Sequence, residues 1–423
     1  MMFLARPGRR RWTAIAAAWL TLTSSVCSAS SHRPAREVSG RAAGSSASAL
    51  PAAPAALNWG GQWCTRPDVR CSEEHGLPVM ALSRTDHPPA RVLLVDVGGP
   101  GTSVENAVEQ VSELGLWPRY DVLLVGEAWE VTPPPASCLT GESSRLAHYR
   151  ALSGPSCDPA PWAFDPAAYR EAVQATLRAR HATLLAAVGI SFGAVRVAEA
   201  TPASVPLALI TPAPPSGDFG AVAAARATAL TAAAAKACGV AAACARTLRT
   251  LASPTLDDRA YATALALIAS AADPTTFTRV ARSLAGGSRA LADGDLARLA
   301  YAATFRYADG AVLPNLLSYR GGTCGRYGGG VRPGAGGLES TLARVLSCPQ
   351  AGSADTPEVT LSGRRGCVFV SDHDLVTPRA LTAPWTGAGS GLRLAAGRVS
   401  GHARVDGTAA TALAGLPGSL AGC

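Results

Sequence analysis

The sequence contains few charged residues, few aromatic residues and almost no lysine, and this scarcity limits the partners that it can bind. Charged residues make up 16% of the 423 positions and aromatic residues 5%, and Lys236 is the one lysine among 38 basic residues. The arginines are scattered and do not alternate with aromatic residues, whereas a nucleic-acid-binding protein requires a basic face or a recognisable module. The formal net charge of +8 therefore does not indicate nucleic acid as a partner.

Patterns that bind metals or nucleotide phosphates are also missing. No Cys-x-x-Cys pair occurs, and His75, which follows two cysteines, has no fourth ligand nearby, so the spacing of a zinc site is not met. The Gly-rich segment Gly321–Gly337 lacks the GxxxxGK pattern of a phosphate-binding loop. The sequence thus predicts no metal and no cofactor.

The first apolar segment is too short for a membrane-spanning helix, which requires about 20 apolar residues. It covers Trp12–Leu22, follows an arginine cluster between residues 6 and 11, and precedes the small and polar segment Ser24–Ser30. This order is typical of a secretory signal peptide, which we predict over residues 1–29, with an uncleaved anchor as the alternative. Cleavage would remove four arginines and lower the net charge from +8 to +4. Cys27 leaves a lipoprotein as a further alternative.

Ten of the 11 cysteines follow Cys27, and an even number favours disulfide bonds in an exported protein. They occur as pairs that are near in sequence. The predicted disulfides are Cys64–Cys71, Cys138–Cys157, Cys238–Cys244, Cys324–Cys348 and Cys367–Cys423. We therefore expect a protein that is secreted or associated with the cell envelope.

Hydrophobic periodicity divides the chain into a linker, a core in two parts and an inserted helical segment. Residues 30–57 are rich in Ala, Ser, Pro and Arg without periodicity, which predicts a disordered linker. Residues 58–212 and 349–423 contain short apolar runs and helical patterns, which predict an α/β fold with a mostly parallel sheet flanked by helices. Residues 213–348 contain Ala-rich helical segments without an intervening strand, which predict an inserted helical cap.

The segment Gly189–Gly193 has the pattern GxSxG, directly after the apolar run Thr183–Gly189 and at the start of a helical pattern. A nucleophile elbow needs this setting, because a sharp turn from strand to helix lifts the serine hydroxyl above the sheet. Ser191 is therefore the candidate nucleophile. The alternative is an ordinary turn with a surface serine.

A glycine-rich loop, Val97–Gly101, follows the predicted strand Arg91–Asp96. In hydrolases with a nucleophile elbow, such a loop supplies one backbone N–H to the oxyanion hole, and the residue after the nucleophile supplies the other. We predict the N–H groups of Gly99 and Phe192 as these donors, with Gly98 as the next choice after Gly99. The alternative is a tight turn before a helix.

Asp374 follows the predicted strand Cys367–Ser371, and His402 lies 28 residues further along the chain. The order Ser191, Asp374, His402 is that of α/β-hydrolases. His402 would accept the proton of the serine hydroxyl, and Asp374 would orient the imidazole and stabilise its charged form. Each residue alone is compatible with a surface carboxylate or an ordinary loop histidine.

Four motifs together resemble the exported tripeptidyl aminopeptidase family of actinobacteria. They are GGPG at Gly98–Gly101, GxSxG at Gly189–Gly193, DxxTP at Asp374–Pro378, and Gly401-His402. The resemblance covers roughly residues 60 to 423. It implies an α/β-hydrolase fold with a cap, a triad of Ser191, Asp374 and His402, and a peptide substrate with a free N-terminus.

Two segments depart from the family pattern, and both are expected at the rim of the site. Glu127–Val131 stands where the family usually has an Asp, an Arg-Gly pair and Gly-x-Ser, and Ile210–Pro212 where it tends to have Leu-Asp-Gly. A substrate ammonium group needs a carboxylate, and we predict Glu127 and Glu130 because they follow a strand at its C-terminal edge. Asp293 and Asp295 of the cap are further candidates, and surface charge is the alternative for all four.

The sequence as a whole favours a secreted serine hydrolase, most specifically an aminopeptidase that releases short N-terminal fragments through an acyl-enzyme. Its partner would be a peptide or a small ester. Its pH optimum would be neutral to alkaline, because the general base must be unprotonated. An esterase or lipase with the same triad is one alternative. A secreted binding protein that keeps the fold without catalysis is the other.

Overall fold

The computed structural model describes most of the chain from Trp59 onwards. The described residues are 59–84, 91–133, 160–256, 258–285, 327, 333–346, 359–396, 399–405 and 407–422. The predicted signal peptide at residues 1–29, Cys27 and the predicted linker at 30–57 lie outside them and stay predictions.

Eight strands in the described residues form one sheet in the order β1-β2-β4-β3-β5-β6-β7-β8. Their bounds are β1 Val69–Glu74, β2 Leu77–Leu82, β3 Arg91–Asp96, β4 Val122–Val125, β5 Thr183–Ile190, β6 Leu207–Ile210, β7 Arg365–Val370 and β8 Gly391–Ala396. Strand β2 pairs antiparallel with β1 and β4, and every other pair is parallel. The carboxyl ends of β3 to β8 therefore meet at one edge of the sheet, where ligands of such sheets bind.

Helices connect the parallel strands and cover the sheet. Their bounds are α1 Val104–Glu113, α2 Ala128–Val131, α3 Pro166–Ala179, α4 Gly193–Ala200, α5 Phe219–Cys238, α6 Ala242–Leu251, α7 Asp258–Ser270, α8 Pro274–Ala285, α9 Gly337–Leu346, α10 Arg379–Thr382 and α11 Gly407–Ala414. Asp165 caps α3 through hydrogen bonds from two backbone N–H groups, ahead of Pro166 at the first helical position. Local sequence thus sets where this helix begins.

The sheet has an apolar core on each face, because successive side chains of a strand point to opposite sides. Val92 and Leu94 of β3 belong to one buried cluster, and Leu93 and Val95 belong to the other. The continuous apolar runs at β3 and β5 are therefore buried on both faces, as is typical of parallel strands.

The segment between β6 and β7 is helical wherever it has regular structure in the described residues, and it includes α5 to α9. These helices pack around an apolar cluster of their own, in which Leu230, Leu267 and Leu342 are fully buried. A further helical pattern in the sequence, Leu296–Tyr307, lies outside the described residues. We call the helices α5 to α9 the cap, and its predicted bounds, 213–348, stay a prediction.

The sequence did not reveal β1, because Val69 is its one buried residue. The strand forms through antiparallel pairing with β2 across the turn His75-Gly76, whose φ angles are 54° and 75°. Two successive residues with positive φ are characteristic of the two-residue turns that join antiparallel strands. Long-range pairing and the turn therefore define this edge strand, not its hydrophobic pattern.

The predicted disulfides Cys64–Cys71 and Cys238–Cys244 are confirmed. Cys367 is also disulfide-bonded, whereas Cys423, its predicted partner, lies outside the described residues. The remaining four predicted cysteines, Cys138, Cys157, Cys324 and Cys348, lie outside them as well.

The described residues contain neither a candidate membrane-spanning helix nor a candidate metal site. None of their helices is both long enough and apolar enough to cross a membrane. No group of three or more His, Cys, Asp or Glu side chains in the same ranges is arranged to hold a metal ion.

Candidate active site

Ser191 lies in the turn between β5 and α4 with a φ of 53°, a conformation that non-glycine residues rarely adopt. Its backbone N–H donates to the carbonyl of Ile210, and its carbonyl accepts from the N–H of Ala194. A Cβ on Gly189 would lie 2.5 Å from Ala194 Cα, and one on Gly193 2.3 Å from the carbonyl oxygen of Asp96. The GxSxG pattern therefore meets a steric need, and the turn has the geometry of a nucleophile elbow.

His402 lies between Ser191 and Asp374. Its Nε2 is 3.1 Å from Ser191 Oγ, and its Nδ1 is 3.0 Å from Asp374 Oδ2. The imidazole is 9% exposed and the carboxylate is completely buried. His402 is 211 residues from Ser191 and 28 residues from Asp374 along the chain. The three side chains thus meet in an arrangement that can relay a proton from the hydroxyl to the imidazole.

The carboxylate of Asp374 accepts hydrogen bonds at both oxygens. Oδ1 accepts from the backbone N–H groups of Val376 and Thr377, each at 2.8 Å, and Oδ2 accepts from Thr377 Oγ1 at 2.8 Å. Burial alone would raise the pKa of Asp374, but His402 and these donors outweigh it and lower the pKa below its ordinary value. Asp374 is therefore ionised wherever His402 can act as a base.

Thr211 connects the loops that carry Asp374 and His402, and the sequence did not identify it. It follows β6, is fully buried and has a φ of 41°. Its Oγ1 accepts from the N–H of Ala403 at 3.0 Å, and its carbonyl accepts from Thr377 Oγ1 at 3.0 Å. The departure from the family pattern at Ile210–Pro212 was the one signal in the sequence that pointed to this position.

The loop with the predicted oxyanion donor packs directly on the elbow. A Cβ on Gly98 would lie 2.2 Å from the carbonyl oxygen of Ile190 and 3.1 Å from Ser191 Cβ. The N–H of Gly98 donates to Asp96 Oδ1 at 2.8 Å. Among the hydrogen bonds of the described residues, neither Gly99 N–H nor Phe192 N–H has an acceptor. This favours Gly99 over Gly98 as the partner of Phe192.

Glu127 and Glu130, which the sequence predicts to bind a substrate ammonium group, are bonded to groups of the protein itself. Both carboxylate oxygens of Glu127 accept from Gly101 N–H, at 2.9 and 2.8 Å, and Glu127 also pairs with the guanidinium of Arg196. Glu130 accepts from the N–H groups of Glu127 and Val104. The carboxylates are directed into the protein because these buried donors need acceptors. Asp293 and Asp295 lie outside the described residues.

The cap contacts both loops of the candidate triad. Leu375, next to Asp374, belongs to the apolar cluster of the cap. A Cβ on Gly401 would lie 3.1 Å from Pro274 Cδ at the start of α8, and Arg404 Nη1 lies 3.3 Å from Asp273 Oδ1. The cap therefore contacts residues that precede and follow His402.

Comparisons with known proteins find likeness in structure alone. No family model matches the sequence, and no curated protein matches it. A proline iminopeptidase-related protein from Thermus thermophilus is 15% identical with a TM-score of 0.37, and the match covers 84% of this chain and 98% of that chain. A serine hydrolase from Cycloclasticus zankles is 15% identical with a TM-score of 0.36, over 79% and 91% of the two chains.

An esterase from Rhodococcus sp. ECU1013 is 15% identical with a TM-score of 0.33, over 79% of this chain and 92% of that chain. Similarity at this level identifies no function. The fold follows from the chain's own strand order, its antiparallel β2 and the strained turn at Ser191. By these features, the chain has the α/β-hydrolase fold.

Proposed function

We propose that the protein is a serine hydrolase that acts through an acyl-enzyme. The observation that carries this proposal is the position of His402, whose ring nitrogens lie 3.1 Å from Ser191 Oγ and 3.0 Å from Asp374 Oδ2. Ser191 Oγ attacks the substrate carbonyl carbon while its proton passes to His402 Nε2. Asp374 accepts a hydrogen bond from Nδ1–H and stabilises the imidazolium.

The N–H groups of Gly99 and Phe192 donate to the oxyanion of the tetrahedral intermediate. When the intermediate collapses, the bond to the leaving group breaks and His402 returns the proton to that group. Water then attacks the acyl-enzyme with His402 as its base, and Ser191 regains its proton. Each oxyanion donor contributes roughly 10²- to 10³-fold in rate, because the charge that it meets develops in the transition state.

For the substrate we propose a peptide, cleaved near a free N-terminus. Support comes from the sequence motifs that resemble tripeptidyl aminopeptidases and from the helices between β6 and β7, which bear on the loop of His402. A cap at the mouth of a site restricts access and so favours short or terminal segments over folded proteins. We further propose that the protein is secreted, with which the two confirmed disulfides are compatible.

The first test is the variant Ser191→Ala with a peptidyl-anilide substrate of three residues and a free N-terminus. We expect turnover to fall by at least about 10³-fold, because the nucleophile is lost. Ser112→Ala is a matched control, since its hydroxyl bonds the carbonyl of Val108 within α1, outside the site. Undiminished turnover in Ser191→Ala would contradict the proposal.

The second test separates a peptidase from an esterase. Esters and anilides with the same acyl group are compared, each with a free and with a blocked N-terminus. An aminopeptidase should cleave the free anilide and lose activity on the blocked one, whereas preference for long-chain esters without anilide cleavage would identify an esterase. Labelling of Ser191 by a fluorophosphonate probe distinguishes both from a non-catalytic binding protein, which would not react.

A further inference from the structure

A buried group of three charged side chains lies behind the loop that carries Gly99. Asp96 ends β3, Glu127 follows β4 and Arg196 is on α4, and these residues are 4%, 6% and 4% exposed. Arg196 Nη1 lies 3.5 Å from Asp96 Oδ1, and its Nη2 donates to Glu127 Oε1. One guanidinium therefore joins two carboxylates that come from neighbouring strands.

Each carboxylate holds one end of the glycine loop. Asp96 Oδ1 accepts from Gly98 N–H at 2.8 Å, and the two oxygens of Glu127 accept from Gly101 N–H at 2.9 and 2.8 Å. The Gly99 N–H lies between these two anchored points. Glycine has little conformational preference of its own, so these hydrogen bonds contribute to fixing the shape of the loop.

The same guanidinium is also tied to the elbow. Arg196 follows Phe192 by one helical turn, and its Cζ lies 5.2 Å from the centroid of the Phe192 ring. Asp96 also packs against the elbow. A Cβ on Gly193 would lie 2.5 Å from Asp96 Oδ1, so there is no room for a side chain between Gly193 and that carboxylate. Arg196 therefore contacts the residue of one oxyanion donor and the anchors of the other.

We propose that Arg196, Asp96 and Glu127 form a positioning unit that sets the distance between the Gly99 and Phe192 N–H groups. This inference rests on the proposed function. It names residues that affect the rate by placing the two oxyanion donors, without touching the substrate. Preorganised donors stabilise an oxyanion because they do not reorient during the reaction. A small displacement of one donor relative to the other should therefore slow catalysis while substrate binding changes little.

The charged side chains of this unit are buried, and each has partners that compensate its charge. Burial raises the pKa of Asp96. Three groups oppose that rise: the guanidinium of Arg196, the N–H of Gly98 and the hydroxyl of Tyr169. The Tyr169 hydroxyl donates to Asp96 Oδ2 at 2.9 Å, and Trp129 Nε1 donates to Glu127 Oε2 at 3.0 Å. Loss of one partner would leave a buried charge without compensation, which destabilises proteins strongly.

Arg196→Lys and Glu127→Gln test the unit against a matched control, Arg364→Lys. Arg364 is a buried arginine that bonds the far end of α4, at the carbonyl of Ala198 and the hydroxyl of Thr201, and not the glycine loop. We expect the two test variants to lower kcat by about 10- to 100-fold with KM within about threefold, in the range of a weakened oxyanion donor. The affinity for a peptidyl boronic acid should fall in parallel, because that inhibitor imitates the tetrahedral intermediate.

The control should lower the thermal midpoint of unfolding without lowering kcat. A merely structural role for Arg196 would give the same pattern in Arg196→Lys, with kcat and boronate affinity unchanged, and would overturn the proposal. If Arg196→Lys does not fold, Glu127→Gln carries the comparison, since it keeps the side-chain shape and removes the charge.

Amide hydrogen exchange in the full-length protein tests the positioning without any turnover. The peptide that spans residues 97–101 should exchange faster in Arg196→Lys and Glu127→Gln than in the wild type and the control. Equal exchange in all four proteins would overturn the proposal. Absent fluorophosphonate labelling of wild-type Ser191 would instead contradict the proposed function, so the two failures are distinguishable.

Discussion

At the scale of single residues, backbone strain is concentrated around the candidate triad. Among the described residues, five non-glycine residues have positive φ, and three of these, Ser191, Thr211 and Ala403, lie at the site. Such conformations cost on the order of 1–3 kcal/mol each and persist where surrounding contacts hold them. Hydrogen bonds from Ser191 N–H to Ile210 and from Ala403 N–H to Thr211 do so here. The hydroxyl and the imidazole are thus held in position before a substrate binds.

Thr377 gives a prediction at this scale, because its hydroxyl bonds Asp374 Oδ2 and the carbonyl of Thr211. In Thr377→Val we expect kcat to fall about tenfold, since a hydrogen bond to a charged group contributes roughly 1.5–3 kcal/mol. The pKa of Asp374 should also rise toward its ordinary value, because Thr377 is one of the groups that lower it. The measurements are kcat and the pH at which acid unfolding begins.

Thr382→Val is the control for this variant, because Thr382 is also buried but bonds the carbonyl of Arg379 within α10. The low pKa of Asp374 contributes stability above the pKa of its unfolded state, and that stability is lost as pH falls through the folded pKa. Acid unfolding of Thr377→Val should therefore begin at higher pH than that of Thr382→Val. Identical kcat values and identical acid unfolding in the two variants would count against a role of Thr377 at Asp374.

At the scale of helices and strands, one side chain joins two helix starts behind the glycine-rich loop Val97–Gly101. Glu130 Oε1 accepts from Glu127 N–H at 2.9 Å and so closes the short helix α2. Its Oε2 accepts from Val104 N–H, at the first residue of α1, at 2.8 Å. The positive N-terminal ends of the two helices favour a negative charge at this point. Burial opposes that preference and raises the pKa of Glu130 to about 8.

The raised pKa of Glu130 predicts a pH-dependent stability. The folded pKa exceeds the unfolded value, so the contribution of protonated Glu130 is present below about pH 4.5 and is lost as pH rises through about 8. The free energy of unfolding of the wild type minus that of Glu130→Gln should therefore shrink from pH 5 to pH 9. Urea unfolding at several pH values measures it, with the exposed Glu109→Gln of α1 as control.

The pH dependence measured for Glu130→Gln should exceed that measured for the Glu109→Gln control. A difference for Glu130→Gln that stays constant would mean that Glu130 does not titrate in this range. A difference that grows with pH would mean that its charged form is the one the fold stabilises.

At the scale of the whole molecule, the cap and the sheet are parts of one compact unit that covers Ala56–Cys423. The cap has its own apolar cluster, yet Leu375 of the acid loop belongs to that cluster. Because Leu375 is next to Asp374, packing in the cap bears directly on the triad. A change in cap stability should therefore be detectable at the site.

The disulfide Cys238–Cys244 links the end of α5 to α6, so its removal should change the stability of the cap. The double variant Cys238→Ser/Cys244→Ser should lose about 2 kcal/mol in the free energy of unfolding, since a bridge across so short a loop restricts the unfolded chain by about this amount. Denaturant unfolding of the oxidised double variant and of the oxidised wild type measures it. A variant as stable as the oxidised wild type would show that the bridge does not stabilise the cap.

Much of the candidate site could be predicted because its signals are local. Gly189 and Gly193 are required by contacts within the elbow itself, and the order of Ser191, Asp374 and His402 follows the strands that precede them. The edge strand β1 was missed, because Val69 is its one buried residue and pairing with β2 decides its structure. Glu127 was assigned to the substrate, because a sequence does not reveal which carboxylates find buried partners.

By itself the sequence determined most strands, most helices and the positions where a strand must turn sharply, since apolar periodicity and glycine sterics act over a few residues. The tertiary structure alone decided which distant groups meet. Arg196 and Glu127 are 69 residues apart and Thr377 and Thr211 are 166 apart. The reason is that burial and pairing energies depend on the neighbours that the fold supplies, and a buried charge is stable where those neighbours compensate it.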